Sequence, residues 1–218
     1  MARPRRTHRR DSRGDILRAA RTEFAARGFA GAGVDRIARR GRVNKAMVYY
    51  HFASKLGLYR AILTEDFREL TAETGAAVDP SAPAFDQLDA YVRALLRTVE
   101  RHDHVVPILL REIAAGGRNL DIEAMRQMTG IFGVVRGILE RGTETGELRP
   151  MHPLLTHFLI LGSAVLYTAN EPIRIRIKQL RLPGGPRDVP VGPDPFIDYL
   201  NTVLRRTLGA APEDSTHA

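Results

Sequence analysis

Apolar residues recur at helical spacing along almost the whole chain. Phe85, Leu88 and Val92 are three and four residues apart, and Leu95 and Val99 continue the series, which predicts one face of an amphipathic helix. The same reasoning predicts helices over approximately 11–28, 34–40, 44–50, 54–74, 85–99, 104–115, 121–141, 153–169 and 196–207. The fold class that follows is all-α.

Helix boundaries are marked by capping residues. Asp11 or Ser12 supplies a side-chain oxygen for the start of the first helix, and Asn44 and Ser54 do the same for the third and fourth. Gly28 ends the first helix, because glycine adopts the left-handed conformation without a steric cost. These signals divide the first 60 residues into short helices separated by tight turns.

Three later segments need separate interpretation. Residues 153–169 are apolar almost all round, which predicts a helix buried on most faces. Residues 173–182, IRIRIKQLRL, alternate with a period of two, but because no partner strand is predicted we expect a short helix or an irregular arm. Residues 183–195 are rich in proline and glycine and predict a loop.

Composition excludes several classes of protein. The 218-residue chain is 44% hydrophobic, which is enough for a buried core, and it has no cysteine for disulfides, thiolate catalysis or a cysteine-based zinc site. No apolar run follows the basic start, as a signal peptide requires, and no run is long enough to span a membrane. We expect a soluble, cytoplasmic protein without a membrane partner.

Charge is divided unevenly along the chain. Residues 1–60 contain 16 Lys and Arg against 4 Asp and Glu, a net charge of +12, whereas the remaining residues carry a net charge of −4. The basic segment suits a polyanion such as DNA. We predict a disordered basic tail (1–10), a DNA-binding domain (11–56), a regulatory and dimerisation domain (57–208) and a disordered tail (209–218).

Residues 34–52 have the pattern of a helix-turn-helix. Ile37 and Ala38 lie inside the first helix, Val43 follows the turn, and Val48 and Phe52 lie inside the second helix, where they can fix the crossing angle. This pattern leaves the amino-terminal part of the second helix to face the major groove. Its outward residues are Asn44, Lys45, Met47 and Tyr49.

The segment 16–63, ILRAARTEFAARGFAGAGVDRIARRGRVNKAMVYYHFASKLGLYRAIL, resembles the tetracycline-repressor (TetR) family. The first helix of that family appears as IL-AA---F---GF, and the recognition helix ends in V-Y-Y-H-F followed by S-K and L-Y. The resemblance implies an all-helical homodimer with a three-helix DNA-binding domain. It also implies a larger helical domain that binds a small-molecule inducer and holds the dimer together.

By that resemblance, individual positions acquire DNA-binding roles. Tyr49, His51 and Lys55 match positions that contact phosphates, and Lys45 and Met47 match positions that contact bases. The chain departs from the family in the turn, Gly41-Arg42-Val43, and at Gly33, where a hydroxyl residue is common. The predicted DNA-binding set is Gly33, Arg42, Asn44, Lys45, Met47, Tyr49, His51 and Lys55.

The resemblance also locates a ligand pocket in the larger domain, for an apolar or aromatic small molecule. Its expected wall is Tyr91, Leu95, Arg111, Met125, Phe132 and Phe158. We expect no metal and no cofactor, because His102 and His104 would diverge on a helix and His152 and His157 are spaced little better. Residues 153–169 and 196–208 are expected to form the dimer interface.

The sequence therefore predicts a transcription regulator and not an enzyme. It contains no glycine-rich phosphate loop after a strand, no metal-binding spacing and no nucleophile–base pattern. The expected function is a repressor that a ligand releases from a palindromic operator. The alternative is a nonspecific, nucleoid-type DNA-binding protein.

Overall fold

A computed structural model describes residues 11–181, 185–186 and 188–209 of the protein. Those residues form ten helices, and the only β-type pairing among them is a single bridge between Leu148 and Gly209. The helices are α1 (Ser12–Gly31), α2 (Val34–Arg40), α3 (Lys45–Phe52), α4 (Lys55–Ala76), α5 (Ala84–Arg101), α6 (Val105–Ala114), α7 (Ile122–Glu144), α8 (Pro153–Ala169), α9 (Glu171–Leu180) and α10 (Asp194–Leu208). The predictions for the basic tail, the last residues of the chain and part of the 183–195 loop fall outside the described residues.

The helices group into two compact units. The first unit contains residues 11–63 together with Pro107–Asp121, and the second contains Thr64–Val106 and the described residues from Ile122 onward. The sequence placed 107–121 entirely within the larger domain. The structure differs because most of α6 and the loop after it pack onto α1 and the beginning of α4.

Aromatic rings form the centre of the first unit. Phe24 of α1 meets Tyr59 of α4 edge to face, with ring centroids 4.9 Å apart, and Phe29 lies 6.3 Å from Phe24. Gly28 has a φ of 67°, which kinks α1 and returns Phe29 towards Phe24. A left-handed residue is therefore essential at position 28.

Helix α6 is held in the first unit by polar contacts. The buried Glu112 carboxylate accepts a hydrogen bond from the Tyr59 hydroxyl at 3.0 Å and two more from Asn119. Arg111 donates to the Ala25 carbonyl, at the kinked end of α1. Burial and the neighbouring Glu112 charge raise the pKa of Tyr59, so its hydroxyl remains a donor at physiological pH.

Helix α5 occupies the centre of the second unit and packs against α7, α8 and α10. Leu88, Val92 and Leu95 are each at most 1% exposed, as their spacing predicted. Gly142 of α7 permits the closest approach in this unit, because a Cβ there would lie 2.5 Å from the Leu148 side chain.

Helix α8 is less buried than its sequence predicted, and α9 lies on the surface. α8 has the predicted bounds, but only one face is buried, and Leu155, Phe158 and Leu166 are more than half exposed. The alternating segment forms the short helix that was one of its two predicted forms, α9, in which Pro172 is the second residue and no residue is buried. Because no strand in the described part of the chain pairs with this segment, the alternating isoleucines are not packed in a sheet. Ile173 and Ile175 are instead exposed, at 56% and 38%.

Within the described residues, no single helix has both the length and the apolar composition to cross a membrane. Helices α8 and α9 pass such a test only as a pair bent by 51°.

Candidate nucleic-acid interface

The turn between α2 and α3 is tight and partly strained. Gly41 has right-handed angles, and Arg42 takes the left-handed region with a φ of 53°. Such a conformation costs a residue with a Cβ roughly 1–2 kcal/mol. The turn is closed by the Val43 N–H, which donates to the Ala38 carbonyl at 3.0 Å.

Capping and packing orient α3. The Asn44 side chain accepts from the Ala46 N–H at 2.9 Å, which confirms it as the N-cap. Val48 and Phe52 are buried, at 1% and 8% exposure, and so is Ile37 of α2. The opposite face of α3 is consequently directed outward.

The outward face of α3 carries the groups that can contact DNA. Lys45, Tyr49 and Tyr50 are exposed, and Met47 is half-buried beside them. Tyr50 is 80% exposed, so it is a surface residue and not a packing residue. Lys45 and Tyr49, four residues apart, share one side of α3, and Tyr50 projects from the adjoining side. An ammonium and phenol hydroxyls suit base edges and phosphates, as at the recognition helix of a helix-turn-helix.

Lys45 is paired across the motif. Its Nζ lies 2.9 Å from Oδ1 of Asp35 on α2, and this hydrogen bond, followed by the Asp35 charge, raises the pKa of Lys45. The ammonium is therefore held, fully charged, at the amino-terminal end of α3.

Two residues that the family resemblance placed on phosphates bind the protein itself. The Lys55 ammonium donates to the Ala32 carbonyl at 2.9 Å and lies 4.6 Å from the ring centre of Phe29. His51 Nε2 is 2.8 Å from the Ser12 hydroxyl at the start of α1. In the protein without DNA, Lys55 binds a carbonyl after the Gly28 kink and His51 binds the start of α1; the assignment of both side chains to phosphates stays a prediction.

Gly33 is the N-cap of α2 and has extended backbone angles without a side-chain hydrogen bond. The adjoining surface is held by Arg36, which donates to the buried Glu23 carboxylate and to the Gly31 carbonyl. Burial alone would raise the pKa of Glu23, but the hydrogen bond and charge of Arg36 outweigh it and lower that pKa.

A basic groove beside the turn was not predicted from the sequence. It has a volume of about 630 Å³ and is lined by Asp15, Arg18, Ala19, Thr22, Arg40, Gly41 and Arg42. Three arginines from α1, α2 and the turn are thus brought to one open surface, where they can neutralise phosphates. The sequence signal was present in the charge excess, but only the packing of α1 on α2 brings Arg18 to the turn.

The six predicted pocket residues do not share one environment. Tyr91 and Leu95 are fully buried in the second unit, whereas Met125 and Phe158 are 45% and 59% exposed. Arg111 binds carbonyls at the end of α1 in the first unit. The six-residue wall stays a prediction; within it, Phe132 lies beside the buried His157, with ring centroids 5.6 Å apart.

The buried interior of the second unit contains three polar atoms without a hydrogen-bond partner among the described residues. They are Oη of Tyr91 on α5, Nε of Arg141 on α7 and Nδ1 of His157 on α8. Burial lowers the pKa of His157, so the imidazole is neutral there, and burial raises the pKa of Tyr91. A buried polar group without a partner lowers the stability of the folded state, so folded domains contain few of them.

Comparison with known proteins agrees with this geometry. Residues 16–62 match the family described as bacterial regulatory proteins, tetR family, and residues 85–182 match the tetracyclin repressor-like C-terminal domain. The chain is 31% identical over 197 residues to the HTH-type transcriptional repressor SCO4008 of Streptomyces coelicolor, covering 88% of this chain and 93% of that protein. The protein belongs to the TetR family and is a transcriptional regulator with a helix-turn-helix DNA-binding domain.

Other relatives extend the comparison. The HTH-type transcriptional activator FasR of Mycolicibacterium smegmatis is 38% identical over 98 residues, which are 45% of this chain and 44% of that protein. A bacterial regulatory protein in the tetR family from Rhodococcus RHA1 shares the fold with a TM-score of 0.72 at 21% identity, over 93% of this chain and 100% of that one. Its likeness supports the all-helical fold.

Proposed function

We propose that this protein represses transcription by binding a palindromic operator as a homodimer, and that a small apolar or aromatic molecule releases it. The observation that carries the proposal is the exposed face of α3. Lys45, Tyr49 and Tyr50 project there, and the basic groove that contains Arg18 and Arg42 adjoins the turn before it. Base-contacting and phosphate-contacting groups are thereby combined in one unit.

The exposed stripe of α8 supports the dimer. Leu155, Phe158, Leu159 and Leu166 follow one another at helical spacing, and each is at least half exposed in the single chain. Gly162 lies within the same stripe, and a Cβ there would meet no atom within 4 Å. A continuous apolar stripe with a small residue inside it suits the close approach of a second copy of the helix.

Tyr91 and His157 support a ligand in the second unit. A ligand that entered beside them would offer hydrogen bonds that these two buried atoms lack in the protein alone. Phe132 lies beside His157, and the buried Leu95 is four residues after Tyr91 on α5, so apolar side chains of the kind that line small-molecule pockets accompany both polar groups. We propose these four residues as the centre of the ligand site.

Two helices connect such a site to the DNA-binding unit. α4 and α6 each begin in one unit and end in the other along the chain. Within the first unit α6 holds α1 through Arg111 and holds α4 through Glu112. A ligand that favours one position of α6 would shift the first unit, and with it the spacing of the two recognition helices.

The experiment is a titration of the DNA that flanks the protein's own gene, measured by fluorescence anisotropy against random competitor DNA. We expect preference for the flanking DNA, and a change of about 5–150-fold in affinity with an effector found by thermal-shift screening. Equal affinity for both DNAs would favour the nucleoid-type alternative. A reporter assay decides the direction of control: lower expression from the operator with the protein present indicates repression, and higher expression indicates activation.

A further inference from the structure

Three acidic side chains follow one another along one face of α4, at positions 66, 69 and 73. Each meets a basic side chain from the end of α5 or the turn after it, all within the second unit. The pairs are Asp66 with His104 (3.1 Å from Oδ2 to Nε2), Glu69 with His102 (3.6 Å from Oε1 to Nε2) and Glu73 with Arg101. The middle pair differs from the other two.

The distance between Glu69 and His102 is too long for a hydrogen bond, which is normally below about 3.2 Å for N–H···O. It matches the separation of two ligands of one metal ion. Ligands at about 2.0–2.2 Å from a tetrahedral ion lie about 3.3–3.6 Å from each other. The pair is therefore a loose ion pair whose separation also fits two ligands of one metal ion.

Glu73 completes a set of three. One ligand atom from each of Glu69, Glu73 and His102 lies within 4.8 Å of the others. Both hydrogen bonds that Glu73 accepts, from Thr98 and from Arg101, go to the same oxygen, Oε2. The two donors fix the carboxylate, as outer groups do around metal ligands, and leave Oε1 available to an ion.

The position of His102 explains why helical spacing did not indicate it as a metal ligand. α5 ends at Arg101, and His102 is its C-cap with φ −110° and ψ 67°, so the side chain does not follow the helical spacing. It is directed towards α4 and lines a groove together with Asp66, Glu69 and Val105. The groove is open to solvent, which leaves a fourth metal position to water.

We propose that Glu69, Glu73 and His102 bind a divalent first-row transition metal, with Zn²⁺ as the reference ion. An imidazole nitrogen with two carboxylates suits zinc and its neighbours, whereas Mg²⁺ and Ca²⁺ select oxygen ligands alone. An ion would also remove the repulsion between Glu69 and Glu73, which are four residues apart on α4. It would hold the second half of α4 to the end of α5.

The test uses the full chain without an affinity tag, stripped of metal with a chelator. Zn²⁺ binding is measured by calorimetry, and Co²⁺ is titrated as a spectroscopic probe whose visible absorption reports an imidazole–carboxylate site. We expect one ion per subunit, unaffected by excess Mg²⁺. Glu69→Gln and His102→Ala are expected to weaken binding at least about tenfold, while His152→Ala, at an exposed histidine outside the set, leaves it unchanged.

Two results would overturn the proposal. One is the absence of saturable binding in the unaltered protein. The other is equal binding in Glu69→Gln, which would assign the ion to other histidines and leave the three pairs as ordinary surface ion pairs. The Glu69 side chain is 46% exposed, so Glu69→Gln retains the fold. This variant therefore tests metal binding even if His102→Ala unfolds. Circular dichroism checks the fold of both variants.

Discussion

The Lys45 ammonium lies 2.9 Å from the Asp35 carboxylate, across the two helices of the helix-turn-helix. Both side chains are well exposed, at 49% and 70%, so the pair contributes little to stability. The pair instead orients the Lys45 side chain along the amino-terminal end of α3. An approaching base or phosphate can replace the carboxylate at little cost.

Replacement of Lys45 therefore tests base contact. We expect Lys45→Ala to retain the fold and to lose about 1–3 kcal/mol of affinity for the operator, with relaxed preference at one position of each half-site. Competition binding on operator variants measures this, with Lys178→Ala on α9 as a control that removes the same charge. Equal losses on operator and random DNA would show that Lys45 contacts only phosphate.

The contacts of Lys55 favour a role in stability over a phosphate contact. Because its ammonium binds the carbonyls after the kink in α1, Lys55→Ala should lower the free energy of unfolding by about 1 kcal/mol. The dependence of DNA affinity on salt should stay the same. A flatter salt dependence at unchanged stability would confirm Lys55 as a phosphate contact.

The α8 stripe predicts how the dimer can be broken. A charge at position 159, where Leu is 50% exposed, should produce monomers at micromolar concentration and weaken operator binding with them. The matched control is Ile122→Glu, since Ile122 is 77% exposed at the start of α7 and lies outside the stripe. Sedimentation of Leu159→Glu as a dimer would reject the interface. Ala164, with 2% exposure, is unsuitable because a charge there would disrupt the subunit's own core.

His157 predicts a loss of stability in acid. Burial lowers its folded pKa below 6.5, so the unfolded chain takes up a proton first, and stability falls as the pH drops from 6.5 towards the folded pKa. His157→Leu should remove this part of the loss. Denaturant unfolding at about pH 7.5 and about pH 5.5 measures the difference, which should be smaller in the variant. The same difference in both proteins would place the acid sensitivity elsewhere.

Local sequence signals predicted the elements well where one residue determines the backbone. Gly28 supplies the kink in α1, Asn44 and Ser54 supply N-terminal hydrogen bonds to α3 and α4, and the bounds of α8 are those that its apolar run predicted. These are effects of the residue itself on its neighbours in the chain.

Long-range packing could not be predicted in the same way. Arg111 was assigned to a pocket because its helix was expected in the larger domain, yet its guanidinium binds carbonyls 85 and 86 positions earlier. His102 was judged by helical spacing, but it lies beyond the last turn of α5. Both outcomes depend on which helices meet, and a single sequence does not contain that information.

The central claim is that α3 selects a sequence when two copies of the chain bind together. The most direct measurement is repeated selection of duplexes bound by the protein from a pool of random DNA, followed by sequencing. We expect enrichment of an inverted repeat whose half-sites lie about one helical turn apart, and its loss with Lys45→Ala. A pool that remains random while the protein binds it tightly would contradict the claim.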